Sequence, residues 1–185
     1  MKKILLLIIV CATTTACLPV GTAFAQKKYT AEKTFVSFYS HALLEDIKAD
    51  NTKSSAIFNA DNSEIAFSVP MKDFKFRKSL MQQHFNEKYV ESDKYPKSTF
   101  QGKIAGFKPD ATGVQQVKAQ GKLTIHGVTK DIDVPGTVEV QGKKLLMKSK
   151  FMVKVADYEI TIPSLVFQNI AEEVEVTIDF TFKPM

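Results

Sequence analysis

The stretch "GKLTIHGVTKDIDVP", residues 121–135, carries the fold signal of the chain in miniature. Leu123 and Ile125 alternate with Lys122 and Thr124, and beyond the centre Ile132 and Val134 alternate with Asp131 and Asp133. Alternation with period two marks strands that bury one face and wet the other. Between the two runs His126-Gly127-Val128-Thr129-Lys130 reads as a short polar link, in which Gly127 supplies the freedom to take positive φ, so the stretch is predicted to be a β-hairpin.

The same period recurs outward in both directions. It is cleanest in residues 174–182, where every even-numbered position is apolar and every odd one polar. Further runs lie at 30–40, 55–59, 65–69, 100–104, 132–134 with 138–140 beyond the Pro135-Gly136 break, and 145–155, separated by turn-forming links such as Asp61-Asn62, Lys108-Pro109-Asp110 and Gln141-Gly142. One segment departs from the rhythm. Over 73–90 the apolar residues Phe76, Leu80, Met81, Phe85 and Tyr89 follow helical spacing, and Pro96 then forbids any continuation. About eight antiparallel strands joined by hairpins, with one helical insertion, make a sandwich or a closed barrel. Closure removes the exposed edges that a long sheet would otherwise present.

The first 25 residues read as a secretory signal peptide and 26–185 as one domain. Lys2 and Lys3 precede an apolar run over 4–10, and Ala23-Phe24-Ala25 gives the small-x-small pattern before a cut at Gln26. Thr13 to Thr15 and Pro19 interrupt the apolar stretch well short of the ~20 residues of a membrane span. The expected location is therefore periplasmic or secreted, with no integral membrane span in the mature form. Cleavage before Cys17, leaving a lipid anchor there, is the less favoured alternative, because Thr14 stands where a Leu is expected. Both cysteines, Cys11 and Cys17, fall within the leader, so the mature chain would hold neither a disulfide nor a thiolate ligand. Net charge drops from +5 to about +3 when Lys2 and Lys3 leave, and the remaining basic residues are interspersed with acidic ones. Lys27-Lys28 and Lys143-Lys144 read as solvated terminal or turn charges, and nothing calls for nucleic acid.

The residues argue for binding and not for catalysis. His41, His84 and His126 are the only histidines, and no nucleophile elbow or His-Glu-x-x-His pattern accompanies them. His84 and Glu87 share a helical face, a spacing that reads as a solvated pair before it reads as a metal site. His126 and Thr129 are expected to hydrogen-bond within the turn while Lys130 keeps the hairpin soluble. No cofactor is implied. Phenylalanine is the more informative residue: 14 occur, 13 of them beyond the leader, with no tryptophan. By alternation Phe38, Phe58, Phe67, Phe100, Phe151, Phe180 and Phe182 face inward with Leu123, joined by Phe85 from the helix and Phe167 from the link after Pro163. These side chains either fill a core or line a tunnel, and periodicity alone leaves both accounts open.

At this point a family likeness is visible. The hairpin resembles the "G-x-L-T-[IL]-x-G-V-T-[KR]" signature of the YceI-like family, and "HFNEKYVESDKYPKSTFQGKI", residues 84–104, resembles that family's His-to-aromatic segment with its tyrosine-proline step. The closing "EEVEVTIDF", residues 172–180, is similar to the family's last strand. The first strands, "FVSFYSHALLEDIKADN" at 35–51, depart from the usual family start. The resemblance implies a single eight-stranded, lipocalin-like antiparallel barrel whose lumen holds a polyisoprenoid, an isoprenoid quinone or a fatty-acyl chain for transport or storage. On that reading Phe38, Phe58, Phe67, Phe85, Phe100, Leu123, Phe151, Phe167 and Phe180 line the lumen; separately, the cluster of Lys75, Arg77 and Lys78 beside the helix is a candidate to hold a polar or phosphate head group at the mouth. A homodimer is compatible with it. The alternative is a secreted structural or stress-related module with a filled barrel, acting through a protein partner.

Overall fold

The computed structural model describes residues 27–41, 46–162 and 171–185; the leader with both cysteines, and Phe167, lie outside them. Among the described residues ten strands form: β1 (Lys28–Ser40), β2 (Ile47–Asn51), β3 (Ser55–Asn59), β4 (Glu64–Pro70), β5 (Lys75–Phe76), β6 (Lys97–Ala105), β7 (Val114–Ile125), β8 (Val128–Gln141), β9 (Lys144–Lys154) and β10 (Glu173–Pro184). Eight of them close a barrel in the order β1-β3-β4-β6-β7-β8-β9-β10, and β10 returns to β1 through an antiparallel ladder from Tyr29↔Pro184 to Tyr39↔Glu175. The other two are short additions at one end, β2 pairing with the second half of β1 and β5 with β2.

Local chemistry accounts for the corners. The β7–β8 hairpin turns on His126 and Gly127 alone, with φ of 51° and 77°, flanked by the pair Ile125↔Val128. Two consecutive positive φ values are the signature of the two-residue hairpin turn whose twist matches the strands. The link is thus shorter than the five residues expected, and Val128, Thr129 and Lys130 already belong to β8. Midway along the barrel Gly102 of β6 faces Gly121 of β7, and a β-carbon on Gly121 would lie 2.3 Å from the Gln101 carbonyl oxygen. That close approach lets the two strands coil tightly. Between β2 and β3 the fully buried Asn51 turns the chain: its Nδ2 donates to the Pro70 carbonyl at 2.8 Å, and its Oδ1 accepts from the Lys53 N–H at 2.8 Å. A register shift between Ala31 and Lys33 moves the inward set of β1 from odd to even positions.

The helical insertion is shorter than the periodicity predicts. A short helix, α1 (Ser79–His84), runs into one wider turn over Phe85–Tyr89. Phe76, the first member of the apolar stripe, instead sits in β5 opposite Ala49. Pairing with the sheet claims the backbone there, and Lys78 is still extended.

The interior divides into two halves. Toward one end an aromatic column fills the barrel: Phe67 stacks on Phe100 at 5.2 Å, meets Phe180 edge-on at 5.6 Å, and the contacts continue through Phe182 and Phe58 to Phe107 and Tyr29. Phe182 is wholly buried and Phe58, Phe100 and Phe180 are each 1% exposed. Toward the other end the side chains stand back from the axis.

Candidate functional site

That second half encloses a cavity of about 560 Å³. Its walls follow from the strand parity already described. β10 contributes Val174, Val176 and Ile178, its next two inward residues being the packed Phe180 and Phe182. β9 supplies Phe151 and Val153, β1 supplies Val36, Phe38 and Ser40, and β7 supplies Leu123 and Ile125. At the mouth Phe38, Phe74, Phe76 and Phe85 form a second aromatic group, with ring centroids 5.0 to 5.7 Å apart, under α1.

The lining is almost wholly apolar. Among the described residues no Lys, Arg, Asp or Glu lines the cavity; its polar members are Ser37, Ser40, Ser98, His84 and Tyr89. Ser98 donates its hydroxyl to the Thr124 carbonyl at 2.8 Å, and Ser40 accepts from the Ala171 N–H at 2.9 Å. Burial pushes the Tyr89 phenol above its ordinary value, so it is neutral at physiological pH. Lys75, Arg77 and Lys78 are exposed and absent from the cavity wall.

The nine residues singled out from the sequence separate accordingly. Phe38, Phe67, Phe85, Leu123 and Phe151 line the cavity. Phe100 and Phe180 form its floor together with Phe67, while Phe58 lies beyond them in the packed end, where ring contacts with Phe107 and Phe182 enclose it. Phe167 is outside the described residues. Sequence reasoning passed over Val174, Val176 and Ile178, although the alternation of 174–182 marks them inward. It also passed over Phe74, whose position after the 3₁₀ turn Met71–Asp73 carries no periodic signal.

The histidines do not converge on a reaction centre. His41 pairs with Asp46 at 2.8 Å on the rim. Glu87 is engaged by Gln83, at 3.1 Å, and forms no ion pair with His84 among the described residues. His126 reaches out of its hairpin, against the expectation of a bond within the turn. Its Nε2 lies 2.9 Å from Glu91 Oε2 and its Nδ1 lies 3.1 Å from the Tyr158 carbonyl, while Tyr95 packs edge-on at 4.5 Å. Thr129 bonds across the strands to Thr124 at 2.8 Å. His126, only 11% exposed in its side chain, thereby ties the hairpin tip to the links before β6 and after β9. Among the described residues no group of three or more His, Cys, Asp or Glu is placed to hold a metal ion, and no helix is long and apolar enough to cross a membrane.

A closed eight-stranded antiparallel barrel with an apolar lumen at one end defines a lipocalin-like class of protein. Residues 28–182 match the YceI-like domain, and the chain belongs to that family. The fold is similar to that of Burkholderia cenocepacia BcnA, at 19% identity and a TM-score of 0.68 over 80% of this chain and 95% of that one. It is also similar to a polyisoprenoid binding domain from Saccharophagus degradans implicated in plant cell wall breakdown, at 16% identity and a TM-score of 0.72 over 85% of this chain and 98% of that one. A Campylobacter jejuni YceI protein shares 18% identity with a TM-score of 0.63 over 78% and 89%. No curated protein matches the chain.

Proposed function

We propose that this protein holds one long apolar chain of the isoprenoid or fatty-acyl class in its lumen, shielding it from water, and performs no covalent chemistry on it. The observation that carries the reading is the 560 Å³ cavity, apolar on nearly every side, stopped by phenylalanine at one end and rimmed by aromatic rings at the other. Membership of the YceI-like family and the likeness to a polyisoprenoid binding domain support it. The energetics are sufficient. Each buried methylene contributes about 0.8 kcal/mol, so ten to fifteen supply about 8 to 12 kcal/mol. After association costs of several kcal/mol, an affinity in the micromolar range, near 8 kcal/mol, requires only modest help from ring contacts at the rim. The absence of cationic side chains from the described lining favours a neutral chain whose head group stays outside. Export by the N-terminal leader would place this activity in the periplasm or beyond the cell, as transport or storage.

The test is native mass spectrometry of the protein purified from its own source without detergent, followed by organic extraction. A stoichiometric mass increment that disappears on extraction identifies the ligand. A bare polypeptide that stays bare after incubation with prenyl and acyl chains overturns the proposal.

A further inference from the structure

Among the described residues the barrel wall is not continuous. β8 pairs with β9 only from Gly136↔Ser149 to Gln141↔Lys144. Above that point, among the described residues, Val128–Pro135 of β8 pairs with β7 alone and Lys150–Lys154 of β9 pairs with β10 alone. Pro135 has no N–H to offer a ladder, and the Ser149 hydroxyl donates to its carbonyl at 2.6 Å, closing off the last pair. Two adjacent strands thus part from mid-barrel toward the mouth.

A small recess of about 50 Å³ sits at the apex of the split. Phe67, Phe151 and Ile178 line both it and the main cavity, so the two are neighbours across shared side chains. Its other walls include Ala119, Ile132 and Val134, inward by register and yet only half-buried. Its lining also includes Thr137 and Lys148, the ladder pair next to Gly136↔Ser149. The part exposure of the inward Ile132 and Val134 places the recess within reach of the exterior at the split.

The axial route is shut by Phe100, Phe180, Phe182 and Phe58, all essentially buried. Taking about 30 Å³ per non-hydrogen atom, the share of one water molecule in the liquid, the main cavity of about 560 Å³ accommodates roughly 19 such atoms, or about four isoprene units. We propose that a longer chain turns sideways at Phe67 and leaves the barrel through the seam between β8 and β9, which makes the seam a lateral subsite for the tail of a long polyisoprenoid. This rests on the lipid-binding reading and adds a length dependence that the lumen by itself does not produce.

The test compares a 20-carbon prenol, geranylgeraniol, with a 45-carbon one, solanesol, each presented in phosphatidylcholine vesicles, with bound prenol counted after the protein is separated from the vesicles. Two variants fill the recess from neighbouring cross-strand positions, Val134→Trp on β8 and Ala119→Phe on β7, so that a folding failure in one leaves the other. The expected result is that the wild type prefers solanesol at least tenfold relative to its partition in a lumen-limited binder, and that both variants lose this preference while geranylgeraniol binding stays within twofold. Equal affinity for both lengths in the wild type, or equal weakening of both prenols by the variants, overturns the seam and leaves the lipid-binding reading standing. Binding of neither prenol by the wild type overturns both.

Discussion

Truncating one phenylalanine on the floor and one on the wall tests whether the lumen is a true void. Phe180 is enclosed, 1% exposed, with rings at 5.6 Å on one side and 6.2 Å on the other. Phe180→Ala removes an aromatic side chain from close packing, a change that costs about 3–5 kcal/mol. Phe151 presents one side to the cavity and is half-buried. Atoms facing a void already lack partners there, so Phe151→Ala in the empty protein should cost only about 1–2 kcal/mol. A saturating ligand changes the comparison. At 100 times its Kd a lipid stabilises the wild type by about 2.7 kcal/mol, and a tenfold weaker Kd for Phe151→Ala lowers that to about 1.4 kcal/mol at the same concentration. Urea denaturation followed by far-ultraviolet circular dichroism, with and without lipid, measures all four quantities; the chain has no tryptophan to report instead. Equal losses for the two variants in lipid-free protein would refute the reasoning, since they would mean that Phe151 is packed as tightly as Phe180.

Three further outcomes follow from particular contacts. Asn51→Leu strands the Pro70 carbonyl and the Lys53 N–H, and is expected to cost about 2–3 kcal/mol by the same denaturation assay. Gly142→Ala meets open space at φ 61° and should cost about 1–2 kcal/mol for its left-handed backbone. Gly127→Ala, at φ 77°, should cost at least 1 kcal/mol more, because its β-carbon would lie 2.5 Å from the Tyr95 ring. Acid should weaken the fold: hydrogen bonds from Gln120 and Lys118 hold Asp133 below its ordinary 3.8, and a hydrogen bond from Lys144 holds Glu32 below 4.5. Their contribution is complete above those ordinary values and is lost as pH falls through and below them, so Asp133→Asn should flatten the decline in melting temperature between neutral pH and about pH 3.

The strand pattern was legible because one face of nearly every strand is dry, and residues 174–182 state the barrel parity without exception. The division of the interior was not. Alternation reports which side of the sheet a residue occupies and says nothing about height along the axis, so Phe58 and Phe38 look alike in sequence while one is packed among rings and the other lines the cavity. The helical stripe misled for a related reason. Phe76 keeps helical spacing with Leu80, yet its backbone pairs with Ala49, a partner 27 positions away that no local pattern reveals. His126 belongs to the same class of miss: its partners Glu91 and Tyr158 lie 35 and 32 positions distant.

Among the described residues the split leaves two strand edges without a partner strand, and exposed edges invite pairing with other chains. The sequence along this seam answers that hazard. The free edge of β8 carries Lys130, Asp131, Asp133 and Pro135, and the free edge of β9 carries Lys150 and Lys154. Asp133 and Asp131 are held on the outer face by Lys118 and Lys122 at 3.1 and 3.0 Å, and Lys150 by Glu175 at 2.8 Å. A strand added to either edge would bury these charges or displace their partners, and Pro135 would deny it a donor. The inner face of the same β8 segment is apolar at Ile132 and Val134, and Lys130, opposite Leu123 on that face, is exposed nearer the mouth. The arrangement thus disfavours a polypeptide strand and leaves an apolar slot open to a ligand without a hydrogen-bonding backbone. The alternation of Ile132 and Val134 with Asp131 and Asp133, which first marked residues 121–135 as a hairpin, is the chemistry that makes the slot selective.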